Sequence, residues 1–145
     1  MNILVLDPGS ITGYAIYNRR TQELLTSGCI RLYKATENKL TYLETELKKI
    51  INDYKPNHIY KEKKYEFVRG RKNVHAVMTH ATYHDTIVKI ASECKIPLTE
   101  IDTRRWIKKR LAQRTALEIT GRKKISTHEA EVIVWGRLIC RMKGL

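Results

Sequence analysis

Four side chains able to donate to a hard cation stand where the sequence pattern carries them inward: Asp7, Glu62, His128 and Glu131. Asp7 closes the apolar run of Ile3, Leu4, Val5 and Leu6, which is broken at once by Pro8-Gly9. A carboxylate at the end of a strand buried on both faces is costly unless a metal or a basic side chain meets it. Glu62 closes the strand read within HIYKEKKYE, and His128 and Glu131 are i and i+3 on one helical face, with Trp135 a turn further on. His and carboxylates at that spacing can ligate a metal together. Three converging carboxylates repel one another strongly without a divalent ion between them. Two Mg²⁺ ions about 4 Å apart, with Mn²⁺ as a substitute, would activate a water and stabilise the leaving oxygen of a phosphodiester. Taken singly, each residue has a plainer reading. Asp7 also fits a solvated turn, Glu62 an ion pair with Lys61, Lys63 or Lys64, and His128 and Glu129 the first turn of any helix, where Glu favours the dipole. Glu131 fits that reading least, because Ala130, Ile133, Val134 and Trp135 around it are apolar.

The elements that must position these groups follow from periodicity. After the first strand, Gly13 to Asn18 and Glu23 to Leu32 read as two more strands, joined through the polar segment 18–22 into a three-strand meander. Leu40, Leu43, Leu47, Ile50, Ile51 and Tyr54 recur at helical spacing, predicting a helix from Asn38 to Tyr54 that Pro56 closes. A fourth strand is expected over 57–63, a long helix over 71–94 and a short strand over 98–101. The spacing predicts a helix beginning TRRWIKKRLA, capped by Asp102 or Thr103, and a last helix HEAEVIVWGRLICRM, capped by Ser126 or Thr127. The stretch 113–124 is left open. Strands interleaved with helices need both sheet faces covered, which gives an α/β sandwich of one sheet between helices.

At 145 residues, one domain over 1–145 is expected. A chain of this length buries roughly two thirds of its unfolded surface. The sequence has no 18-residue apolar stretch and no signal-peptide pattern, so a soluble, cytoplasmic protein is expected, of a bacterial cell or a phage-infected host. Cys29, Cys94 and Cys140 are odd in number, far apart and without a CxxC, as in reduced intracellular thiols. Lys and Arg number 28 against 15 Asp and Glu, a formal charge of +13 with an isoelectric point near 9.8. Nucleic acid is the leading partner for such a chain, since each phosphate contact releases counterions. No segment combines one large apolar face with one basic face, which argues against a membrane surface. His75, His80 and His84 lie on the long helix, but only Asp85 accompanies them at useful spacing, which argues against zinc.

The motifs carry a resemblance. LDPGSITGYAIY resembles the first motif of the RuvC family of Holliday-junction resolvases, in which Asp-Pro-Gly closes one strand and Thr-Gly-Tyr opens the next. KPNHIYKEK is similar to the second motif, whose strand ends in the catalytic Glu, here Glu62. HEAEVIVWG resembles the closing D-x-x-D helix, with His128 and Glu131 in the two acidic positions, and IPLTEIDTRRWIKKRL resembles the family's short strand and basic helix. The likeness runs in order over nearly the whole chain. It implies an RNase H-like α/β fold: a mixed five-stranded sheet, a three-strand meander plus two parallel strands, flanked by helices on both faces. It also implies a homodimer and Mg²⁺-dependent paired nicking of four-way DNA, with Asp7, Glu62, His128 and Glu131 as metal-holding catalytic residues and no small-molecule substrate. The sequence departs from the family in reading H-x-x-E for D-x-x-D, although a His ligand occurs in some resolvases of this type. It departs also in EITGRKKIS, which matches the family's glycine-containing loop poorly. The compact length resembles phage members.

Basic residues surround these motifs. Lys61, Lys63, Lys64, Arg69, Arg71 and Lys72 interleave with Tyr65 and Phe67. By the resemblance, one of these aromatics wedges into the junction centre, where stacking on a base contributes about 1 to 3 kcal/mol; core packing accounts for either equally well. Arg104, Arg105, Lys108, Lys109, Arg110 and Arg114 form a second cluster, and Arg122, Lys123 and Lys124 a third, with Lys124 a candidate helper near the scissile phosphate. Together they suit phosphates on two duplex arms. Two other classes remain open from sequence: a non-catalytic basic DNA-binding module, and a single actin-like or sugar-kinase-like phosphate-binding domain, whose first strand also ends in an Asp-x-Gly turn.

Overall fold

In β1 (Asn2–Asp7) successive side chains point to opposite faces of the sheet, and both faces are covered. Ile3 and Val5 enter one core with Tyr60, Ala130, Ile133 and Trp135. Leu4 and Leu6 enter the other with Leu43, Leu47, Ile59 and Ile87. These four aliphatic side chains of β1 are fully buried, and full burial of an aliphatic side chain contributes about 1.5–3 kcal/mol. The run is continuous for that reason. The computed structural model describes residues 1–36, 38–63, 74–142 and 144, with the side chains of 74–78 outside the description.

The remaining strands are β2 (Ile11–Asn18), β3 (Glu23–Arg31), β4 (His58–Glu62) and β5 (Leu98–Ile101), in spatial order β3-β2-β1-β4-β5. β1–β2 and β2–β3 are antiparallel, whereas β1–β4 and β4–β5 are parallel. Helices α1 (Lys39–Tyr54) and α2 (Val74–Glu93) cover one face, and α3 (Lys109–Thr120) and α4 (Thr127–Arg141) the other. This is the RNase H-like sheet expected from sequence. No helix among the described residues is long and apolar enough to cross a membrane.

Several ends follow from local chemistry. The Asn38 side chain accepts from the Leu40 and Thr41 N–H groups to cap α1, and Ser126 accepts from the Glu129 N–H to cap α4. Gly121, at φ 69°, ends α3 in the left-handed conformation that suits glycine. The third strand stops at Arg31, and Leu32–Lys34 turn as a short 3-10 segment.

The largest difference from expectation lies between β5 and α3. No helix is capped by Asp102 or Thr103; α3 begins at Lys109 and runs through the stretch left open. Both proposed caps are engaged elsewhere. The Asp102 carboxylate accepts from the Arg104 N–H at 3.3 Å and pairs with its guanidinium at 2.6 and 2.9 Å. Arg104 in turn holds Asp102 at about 2, well below the usual carboxylate range. The Thr103 hydroxyl turns to Glu62.

Candidate active site

Sheet register brings the first two carboxylates together. β1 and β4 run parallel with Leu6 opposite Lys61, so Asp7 and Glu62 are the next neighbours at the same ends of adjacent strands. Alternation turns both toward α4, as it does Val5 and Tyr60 before them. Asp7 is 8% exposed. It hydrogen-bonds the Glu62 carboxyl, and its pKa is pushed up to about 9, first by burial and then by the charges of Glu62 and Glu131. The Thr103 hydroxyl donates to Glu62 Oε1 at 3.0 Å and orients that carboxylate.

The other two residues arrive on α4. His128 Nδ1 lies 3.4 Å from Asp7 Oδ2. Burial, then Lys109 and Arg31, lower the His128 pKa and favour a neutral ring with a lone pair to donate. Glu131, one turn on, is half-buried, not enclosed among its apolar neighbours as the sequence suggests. Burial raises its pKa and the Glu62 charge adds to this, while Lys109 opposes it. The structure therefore brings Glu62 and His128 into contact with Asp7, and Glu131 acts on Asp7 through its charge.

Among the described residues no three His, Cys, Asp or Glu side chains already form a metal-holding group. The donor set nevertheless fits a divalent cation. Hard carboxylate oxygens and a neutral imidazole surround a buried carboxyl whose ionisation is opposed by its own neighbours, and a cation would remove that opposition.

By sequence, Lys109 belongs only to a DNA-contacting cluster. At the start of α3 its charge acts on Asp7, His128 and Glu131 alike. Its place in a basic run hid this role. Arg104, Arg105, Lys108, Lys109, Lys123 and Lys124 are all exposed, and Arg104, Arg105, Asp102 and Trp106 line a cavity of about 600 Å³. Tyr65, Phe67, Arg69, Arg71 and Lys72 lie outside the described residues.

Two readings need correction. Lys61 does not belong to a DNA-facing cluster: alternation turns it to the α2 side, where it is 1% exposed, 3.0 Å from His84 Nδ1 and 3.4 Å from Glu100. Glu129, read as an ordinary first-turn residue, is 8% exposed and bonded to Ser27 and Arg122. His80 is a further neighbour. It stacks at a tilt on His84, near enough to the turn after β1 that a Cβ on Gly9 would lie 3.9 Å from its ring, and burial lowers its pKa.

Comparison with known proteins bears on the family and the fold. Residues 3–121 match the family model described as crossover junction endodeoxyribonuclease RuvC, a stretch that includes Asp7 and Glu62 and stops before α4. The fold is similar to a Thermus thermophilus RuvC structure (TM-score 0.71, 13% identity, covering 94% of this chain and 92% of that one). It is equally similar to T. thermophilus RuvC in complex with Holliday junction substrate (TM-score 0.71, 13% identity, 94% and 91%). No curated protein matches the sequence.

Proposed function

The chain belongs to the RuvC family of crossover junction endodeoxyribonucleases, and from that premise we propose that Asp7, Glu62, His128 and Glu131 form a divalent-metal site that nicks four-way DNA. One observation carries the reading: a buried Asp7 carboxyl hydrogen-bonded to Glu62 and 3.4 Å from His128. A binding module has no use for such an arrangement, because unmatched buried carboxylates cost stability and contribute nothing to DNA contact.

When bound, Mg²⁺ supplies activation of the attacking water and neutralises charge on the phosphate and the leaving oxygen. The chain's own residues prepare the site. Asp7 gives up the proton that its neighbours make it hold, and Thr103 keeps Glu62 turned toward Asp7. His128 supplies a neutral nitrogen. Lys109 places a positive charge beside all three titrating groups, where it also meets an incoming phosphate. Two copies of the chain in a two-fold dimer supply the paired sites that symmetric nicking requires. Tyr65 and Phe67 are the candidates for wedging the junction centre, and the exposed basic residues hold its arms.

The test is a synthetic four-way junction beside a linear duplex of the same sequence, each with Mg²⁺ and with EDTA. Symmetric nicks in the junction alone, abolished by EDTA and by Glu62→Gln while junction binding persists, are the expected result. Tight binding without cleavage in Mg²⁺ or Mn²⁺ would reduce the protein to a binding module.

A further inference from the structure

Asp7, Gly13 and Cys29 lie on one line across three strands, since Asp7 pairs with Gly13 and Gly13 with Cys29. The first turn of α4 crosses the sheet along this line and is held at three points. His128 Nδ1 meets Asp7, Ser126 Oγ lies 3.3 Å from Cys29 Sγ, and between them the helix backbone passes so close that a Cβ on Gly13 would collide with the His128 carbonyl. A fourth hold comes from Glu129. Its Oε2 accepts from Ser27 Oγ at 2.6 Å and pairs with Arg122 Nη2 at 2.7 Å, and Arg122 also donates to Ser27 Oγ at 3.0 Å. Ser27 is two residues from Cys29 on the same face of β3, so the hold acts beside that line.

We infer that Arg122, Glu129 and Ser27 form a positioning clamp that sets the distance of His128, and of Glu131 one turn later, from Asp7. Arg122 then serves the site from outside it, unlike Lys123 and Lys124 beside it in the same loop. Glu129 follows His128 directly in the chain, so any rotation of α4 that moves one moves the other. A buried carboxylate bonded to both a strand and a loop allows little such rotation. The inference rests on the metal reading of His128 and Glu131, and groups that orient metal ligands typically change metal affinity by about 10- to 100-fold when replaced.

The experiment titrates Mn²⁺ into the full-length protein without DNA, reading bound metal by electron paramagnetic resonance, for wild type, Glu129→Gln, Arg122→Ala, Arg122→Lys and His128→Ala. Glu129→Gln and Arg122→Ala should raise the Mn²⁺ midpoint about tenfold, and Arg122→Lys should restore most of it. Arg122 lies at the surface, so its variants report even where Glu129→Gln folds poorly. A lower melting temperature with an unchanged midpoint in Arg122→Ala, while His128→Ala weakens Mn²⁺ binding, overturns the clamp. An unchanged midpoint in His128→Ala as well overturns the metal reading beneath it.

Discussion

Asp7 has an ordinary carboxyl pKa of 3.8 in the unfolded chain and one pushed up to about 9 in the fold. The folded state therefore holds a proton that the unfolded state has lost between those values. The metal-free protein should lose stability as pH rises from about 4 to about 9, because the folded state binds more protons there. Asp7→Asn, which cannot ionise, should flatten that slope and raise the melting temperature at pH 9 in EDTA by at least about 3 °C, while abolishing cleavage. Thermal melts of both proteins at pH 5, 7 and 9 check this, and parallel slopes would mean that Asp7 is ionised in the fold. Lys109 acts in the opposite sense, lowering the Asp7 pKa. Lys109→Ala should therefore shift the acidic limb of the pH–rate profile upward and slow nicking by about 100-fold, the scale of losing one preorganised electrostatic contact. Lys109→Arg should retain much of both. An unshifted limb in Lys109→Ala would make the lysine a DNA contact alone.

At the scale of elements, the site is the meeting of two strand ends with one helix start, and the α4 backbone passes close over Gly13. Gly13→Ala should push the helix away from β2. Overpacking of this kind costs about 1–3 kcal/mol, and cleavage should fall much further than the melting temperature, with junction binding in EDTA retained. Equal nicking by this variant would show that α4 tolerates a shift and that His128 needs no fixed reach. The same elements show what sequence could disclose. The unbroken run before Asp7 and the strand ending at Glu62 are period signals, and both carboxylates fall at strand ends as read. Alternation within HIYKE also holds the information that Lys61 opposes Glu62, but the surrounding lysines masked it. The start of α3 is hidden in the sequence because Asp102 and Thr103 have the chemistry of helix caps, and only their partners Arg104 and Glu62 divert them. The role of Glu129 is hidden for a related reason. Its place in the first turn of α4 satisfies the dipole rule, and nothing local reveals that β3 lies under that turn.

Over the whole molecule the formal charge of +13 is spread unevenly in use. Lys61 is spent in the core, and Arg104 and Arg122 are paired with acids. Arg105, Lys108, Lys109, Arg110, Lys123 and Lys124 remain exposed on the α3 side of the sheet, around and beyond the site. If these and their counterparts hold two duplex arms with six to ten phosphate contacts, junction affinity should fall by about 10³ to 10⁵ between 50 and 200 mM salt. The log–log slope would then be about −5 to −9, at roughly 0.9 per contact. Lys123→Ala with Lys124→Ala should make it shallower by about 2 and leave the nicking rate of saturated complex unchanged. Fluorescence anisotropy of a labelled junction across salt, with single-turnover nicking alongside, measures both. A wild-type slope near −1 would mean that the positive charge does not face the DNA. A slower saturated rate in the double variant would instead place Lys123 or Lys124 beside the scissile phosphate, the position that sequence left open for Lys124.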